Sequence, residues 1–310
     1  MTARPEVLTV GETMVLVAPS IAEPLESATS FHLDPGGAES NVASHLAALG
    51  TATAWASAVG DDALGRRLVG QLAARGVDTS LVRCDPSAPT GLYVKDPGRG
   101  VQYYRAGSAA SRLGPDFVDA LPIEGLRLLH VSGITAALSS SCDALLDALF
   151  DRASAAGVPV SFDVNHRPSL WPSTDAAAQR LLALAARADL VFVGLDEAQG
   201  LWGTATPAEV RALLPEPGVL VVKDGGVGAT SYEREGLGDE GLDRSATDDG
   251  VHVPAFVVDA VELVGAGDAF AAGYLHAMLA GEAAAERLRA GHARAVLTIA
   301  DTADFPRGTP

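Results

Sequence analysis

The chain has little cysteine, little positive charge and no long uncharged apolar run, and each shortage removes a class of function. Its two cysteines, Cys84 and Cys142, lie far apart and match no metal-ligand spacing, so they read as reduced thiols of a cytoplasmic protein. Lys and Arg number 22 against 39 Asp and Glu, a net charge of −17. A nucleic-acid surface is therefore not expected. The same charge repels anions at long range, so any anion site must be local, built from main-chain N–H groups and a few arginines. No apolar run reaches the ~20 residues that a membrane span needs, and no signal-peptide pattern opens the chain. Two nucleotide signatures are also missing. No GxGxxG follows the first apolar run, which speaks against a dinucleotide-binding fold, and no Gly-Lys-Ser/Thr marks a Walker A loop.

What is present is an apolar chain, 48% hydrophobic over 310 residues, enough for one large α/β domain with an accessory piece. Runs at 7–10, 51–59, 126–131, 158–164, 190–193 and 219–222 read as strands, and 38–49, 63–74, 141–156, 175–187 and 196–202 as helices. From about residue 110 strand and helix alternate, which predicts a mostly parallel central sheet with helices on both faces and right-handed crossovers. Ligands should then collect at the carboxyl ends of the strands. Segments of about 13–36 and 89–107 break the rhythm, the second around a Pro-Gly-Arg-Gly turn, and are expected to form a small β lid inserted in a single domain, 1–310. Apolar Leu92, Val94 and Val101 would leave an exposed edge on that lid, so a homo-oligomer built partly through the lids is expected. The acidic stretch 233–250 reads as an exposed loop.

The most informative string is Gly265-Ala266-Gly267-Asp268, which follows a β-rich stretch (251–258) and opens a buried, small-residue helix. Unpaired N–H groups and the positive end of the helix dipole meet there, a place that binds phosphates. Asp268 beside it is placed to take a proton from an attacking hydroxyl. Read alone, the string also suits a tight turn with a capping aspartate. Gly36-Gly37-Ala38-Glu39-Ser40-Asn41 lets the backbone approach a ligand closely and puts the Asn41 amide on the first turn of a helix, where it suits a polyol. The plain alternative is a turn and a helix start. Lys223, Gly225 and Gly228 follow a strand; they suit a nucleotide, with the lysine near phosphate or ribose, or an ordinary hairpin turn. Tyr103, Tyr104 and Arg105 on the lid and Arg167 after the 158–164 strand could converge on a carboxylate, which guanidinium binds bidentately, or lie solvated on the surface.

Together these motifs resemble the ribokinase-like, or PfkB, family of sugar kinases. The glycine pair at 36–37, Gly60-Asp61-Asp62-x-x-Gly65, Lys223-x-Gly225-x-x-Gly228 and Gly265-Ala266-Gly267-Asp268 stand in the family's order over nearly the whole chain. Thr90-Gly91-Leu92-Tyr93, Tyr103-Tyr104-Arg105, Ser132-Gly133-Ile134-Thr135 and Asp163-Val164-Asn165-x-Arg167 look most like the branch that phosphorylates 2-keto-3-deoxygluconate. The resemblance implies a ribokinase-like fold, ATP and Mg²⁺ as cofactors, and a small-molecule sugar acid as partner. It implies Asp268 as base and Gly265, Ala266 and Gly267 as anion hole. It further implies a sugar-acid site of Gly37, Asn41, Tyr93, Tyr103, Arg105, Ile134, Arg167 and Asp304. Lys223, Gly225, Gly228 and His292 would face the nucleotide, and Glu197 the metal. The chain departs from the family pattern at Glu262, where aspartate is usual, and at Gly194, where the Asn-x-x-Glu motif has asparagine. His292 stands where asparagine is common. Fructose, a nucleoside or another keto-acid sugar as acceptor, and a catalytically silent sugar- or nucleotide-binding protein, remain the competing expectations.

Overall fold

A computed structural model of the chain describes residues 4–21, 23–234, 250–258, 264–299 and 305. Its first half runs β1 (Val7–Val10), β2 (Met14–Pro19), β3 (Phe31–Gly36), α1 (Ala38–Ala48), β4 (Thr53–Gly60), α2 (Ala63–Ala74), β5 (Val82–Asp85), β6 (Leu92–Asp96) and β7 (Gly100–Tyr104). Then follow β8 (Leu128–Ser132), α3 (Gly133–Leu138), α4 (Ser140–Ala156), β9 (Val160–Asp163), α5 (Thr174–Ala185), β10 (Leu190–Gly194), α6 (Leu195–Trp202) and α7 (Pro207–Leu213). The last described elements are β11 (Val219–Asp224), β12 (Gly228–Glu233), β13 (Val251–Pro254), α8 (Ala266–Leu279) and α9 (Ala284–Ile299).

Nine strands form the main sheet in the order β13-β12-β11-β10-β9-β8-β1-β4-β5. From β11 to β5 every pairing is parallel. A parallel sheet must be covered on both faces, and the sequence supplies two apolar sets. Leu8 and Val10 of β1 pack with α4, α5 and α6 on one side, while Val7 packs with α1, α8 and α9 on the other. The fold is thus the expected α/β class, a mostly parallel central sheet with helices on both faces. Helix α8 is buried from Ala269 to Leu275, as its run of small apolar residues requires. Among the described residues no helix is long and apolar enough to cross a membrane.

Three edges bear on the sequence reading. The 219–222 run continues through a tight turn into β12, which is antiparallel; Gly225 (φ 46°) and Gly228 (φ 148°) supply the left-handed backbone. The string 223–228 is therefore a hairpin turn. The stretch 251–258 is strand only over Val251–Pro254. The loop expected at 233–250 falls mostly outside the described residues, since 235–249 are not described.

The lid is a separate four-stranded sheet, β3-β2-β6-β7, made of the two segments expected to form it. Met14, Leu16, Ala18 and Tyr93 form its inner cluster. Asp62, at the N-cap of α2, accepts N–H bonds from Gly65 and Thr90 and the Thr90 hydroxyl. That gives Gly60-Asp61-Asp62-x-x-Gly65 its physical role: it fastens the point where the chain re-enters the lid.

Candidate active site

Below the lid, at the carboxyl ends of β9, β10 and β11, lies a cleft of about 680 Å³. Gly37, Asn41, Tyr93, Tyr103, Arg105, Ile134, Arg167, Glu197, Lys223, Gly225, Gly228, Gly265, Ala266, Gly267, Asp268 and His292 all line it. Asp304 and Glu262 lie outside the described residues.

Its floor is the start of α8. Gly265 caps the helix in the left-handed region (φ 82°), a conformation cheap only for glycine. The N–H groups of Ala266, Gly267 and Asp268 that follow have no partner within the helix. The Asn41 amide donates to an Asp268 carboxylate oxygen at 2.9 Å. Burial pushes Asp268 up to about 8, Asp163 adds to the rise, and Asn41, Arg167 and Lys223 oppose it. Asn41, expected to serve the polyol, therefore has its nitrogen committed to this carboxylate. Its oxygen is buried without a partner, ready to accept from a hydroxyl.

The glycine pair has a steric reason that the sequence did not show. A side chain on Gly37 would strike the backbone of Glu12 and Thr13, and one on Gly36 the ring of Tyr93. Tyr93 stacks on Tyr103 at 5.8 Å between ring centroids. The two form one wall of the cleft.

The two arginines meet the same cleft in different states. Arg105 Nε donates to Glu12 Oε2 at 2.7 Å, and its Nη2 pairs with the same oxygen. Ser108 donates to the other oxygen at 2.8 Å, and Glu12 is only 3% exposed. Glu12 lies in the β1–β2 connection and Arg105 just after β7, so this buried pair ties two crossings between core and lid. Arg167 has no ion pair among the described residues and donates only to the His166 carbonyl, at 3.0 Å. It is aimed by Asn165, the one non-glycine residue with positive φ (41°) among those described; asparagine tolerates that turn best.

Glu197 accepts the N–H groups of His166 and Gly194, each at 2.8 Å, and burial pushes its carboxyl up. It holds the loops after β9 and β10 together. Among the described residues no three His, Cys, Asp or Glu side chains gather as metal ligands. Lys223 is paired with Asp163 at 2.9 Å. His292 Nε2 bonds the Val253 carbonyl at 3.1 Å, and its ring packs on Phe270 and Phe256. Burial lowers its pKa, so the ring is neutral at pH 7.

Sequence reasoning missed three carboxylates. Glu12 and Asp163 neutralise the cleft's cations. Glu39 is 1% exposed and accepts Ser132 N–H, Ser132 Oγ and Thr135 Oγ1; it joins α1 to the β8–α3 turn in the space that Gly11 leaves open. Acidic side chains inside an apolar core strand or helix were the available signal, since an unpaired buried carboxylate is costly. The assembled site is an anion cradle with a proton acceptor beside it, walled by tyrosines and flanked by one free guanidinium.

Comparison with known proteins gives a consistent picture. The family described as pfkB family carbohydrate kinase matches residues 4–304. A 2-dehydro-3-deoxygluconokinase of Bacillus subtilis (strain 168) is 33% identical over 306 residues, covering 97% of this chain and 91% of that protein. A probable fructokinase-5 of Arabidopsis thaliana is 31% identical, covering 89% of this chain and 83% of that protein. The crystal structure of a PfkB protein from Polaromonas sp. JS666 superposes with a TM-score of 0.84 at 35% identity, covering 94% of this chain and 95% of that one.

Proposed function

The chain belongs to the pfkB family of carbohydrate kinases, phosphotransferases with an alcohol acceptor, and we propose that its acceptor is a sugar acid, 2-keto-3-deoxygluconate, phosphorylated by ATP at the terminal hydroxyl. The observation that carries the chemistry is the Asp268 carboxylate held by Asn41 beside the unpaired N–H groups of α8. The acceptor hydroxyl would donate its proton to Asp268 while its oxygen attacks the γ-phosphorus in line. The bond to ADP breaks, and the N–H groups of Ala266, Gly267 and Asp268 hold the charge on the transferring group. Mg²⁺ would come in with ATP, coordinated by phosphates and water. His292 and the 225–228 turn would flank the nucleotide, and the lid would exclude water.

The sugar-acid assignment rests on Arg167, a cation facing the cleft with no counter-ion among the described residues. The neutralised state of Arg105 keeps a second reading in view, a neutral sugar such as fructose. A coupled ADP-release assay over sugars, sugar acids and nucleosides decides between them. Turnover of 2-keto-3-deoxygluconate well above the neutral sugars supports the assignment, and preference for fructose overturns it. No turnover with any acceptor would favour a silent binding protein.

Two further outcomes are expected. Because Asp268 titrates near 8 in the free protein, kcat/KM for the acceptor should rise about tenfold per pH unit below that value and level off above it. A flat profile between pH 6 and 8 would count against Asp268 as base. The lid also exposes Phe31 and Tyr104, which do not line the cleft and suit pairing with a second copy. Light scattering at micromolar concentration should give at least a dimer's mass, and a Tyr104→Glu substitution should lower it.

A further inference from the structure

The only lysines of the chain are Lys95 and Lys223, and both line the cleft, while every other basic side chain outside histidine is arginine. A lysine kept where arginine is otherwise the rule asks for a compact charge with freely turning donors rather than a planar fork. Lys223 sits at the end of β11 with its ammonium between two features. On one side are both oxygens of Asp163, at 2.9 and 3.3 Å. On the other is the first turn of α8: the Nζ lies 3.5 Å from the point that a Cβ on Gly267 would occupy. Asp163 ends β9 and is 3% exposed, so its carboxylate is fixed by the sheet and cannot follow the lysine outward.

An ammonium has three donors, and Asp163 leaves at least one of them for the space over Gly267. That space borders the first turn of α8, whose leading N–H groups lack helical partners. Burial works against the lysine's charge, but Asp163 and Glu197 outweigh it and hold the group above its usual range, so it is cationic throughout the working pH.

We propose that Lys223 is a catalytic cation for the transferring phosphoryl group, and that Asp163 is the positioning residue that holds its ammonium beside Gly267 at the start of α8. As the acceptor oxygen bonds to the γ-phosphorus and the bond to ADP breaks, charge spreads over the three equatorial oxygens. The acceptor's proton goes to Asp268. One equatorial oxygen takes the free N–H of Lys223, so the lysine serves the reacting phosphoryl rather than the ribose or the resting nucleotide. The inference rests on the phosphotransferase reading and not on which sugar accepts.

The test uses ADP and Mg²⁺ with and without aluminium fluoride, a mimic of the transferring group, in calorimetric titration. Lys223→Met alone would strand the Asp163 carboxylate, so the variant is the paired Lys223→Met/Asp163→Asn, which removes the ion pair as a whole, while Glu197 keeps its two main-chain N–H bonds. The wild-type protein should bind ADP at least ~10-fold tighter with aluminium fluoride. The paired variant should bind ADP alone within about threefold of wild type and lose that gain. With whichever acceptor the wild type uses, its kcat should fall ~10²–10³-fold. The inference is overturned if the variant keeps the gain, if the wild type shows none, or if ADP alone is lost to the same extent. A wild type that shows the gain but turns over no sugar acid would refute the acceptor assignment and leave the lysine's role standing.

Discussion

Asp268→Asn should lower kcat by about 10²–10⁴-fold while ADP still binds. The substituted amide has nearly the size of the carboxylate and can still accept the Asn41 N–H bond, so the geometry of the α8 start is kept. What is lost is the proton acceptor. The same substitution also carries a signature in stability that reports the protonation of the buried carboxyl. The Asp268 carboxyl is raised from 3.8 to about 8 in the folded chain, chiefly by burial. Between those values the folded state holds a proton that the unfolded state has released, so this group's contribution to stability falls as pH rises through that window. The variant lacks that loss. Its melting temperature should match the wild type near pH 4 and exceed it at pH 9. Turnover within threefold of wild type, or a melting difference independent of pH, would remove Asp268 from its assigned role.

Arg167→Ala should cost a sugar acid roughly 1.5–3 kcal/mol of transition-state binding, a ~10- to ~150-fold fall in kcat/KM, because a charge-assisted contact to a carboxylate is lost from an arginine that is exposed in the free protein. A neutral sugar should lose less than threefold. Arg105→Ala is expected to behave differently. It leaves Glu12 buried opposite Ser108 with its cation gone, and removing one partner of a buried pair costs about 3–5 kcal/mol of stability. Its first effect is therefore on melting temperature and on the lid, and its effect on acceptors should not depend on their charge. Equal losses for acid and neutral acceptors in Arg167→Ala would sink the sugar-acid assignment.

Much of this was legible in the chain because it is local. Period and punctuation mark the β/α alternation; the helix read over 63–74 and closed by Gly76 spans those same residues in the structure. Gly265 to Asp268 announces a helix start of the kind that suits an anion, since left-handed glycine and unpaired N–H groups are properties of a few consecutive residues. The two irregular segments could be marked as a lid because they broke the rhythm.

Partnership was not legible. Asn41 and Asp268 are 227 positions apart, Glu12 and Arg105 are 93, and Asp163 and Lys223 are 60. Whether an arginine is free or neutralised depends on which carboxylate the sheet order and lid crossings bring to it, and no spacing rule encodes that. The sequence by itself determined the architecture and the anion cradle, because each follows from hydrophobic periodicity and backbone rules that act over a turn or a strand. Only the tertiary structure decided that Arg167 faces the cleft uncompensated, that Arg105 is bound to Glu12, and that Asn41 holds Asp268. Charge interactions are settled by distance and burial in space, and these are fixed only once the strands have found their neighbours.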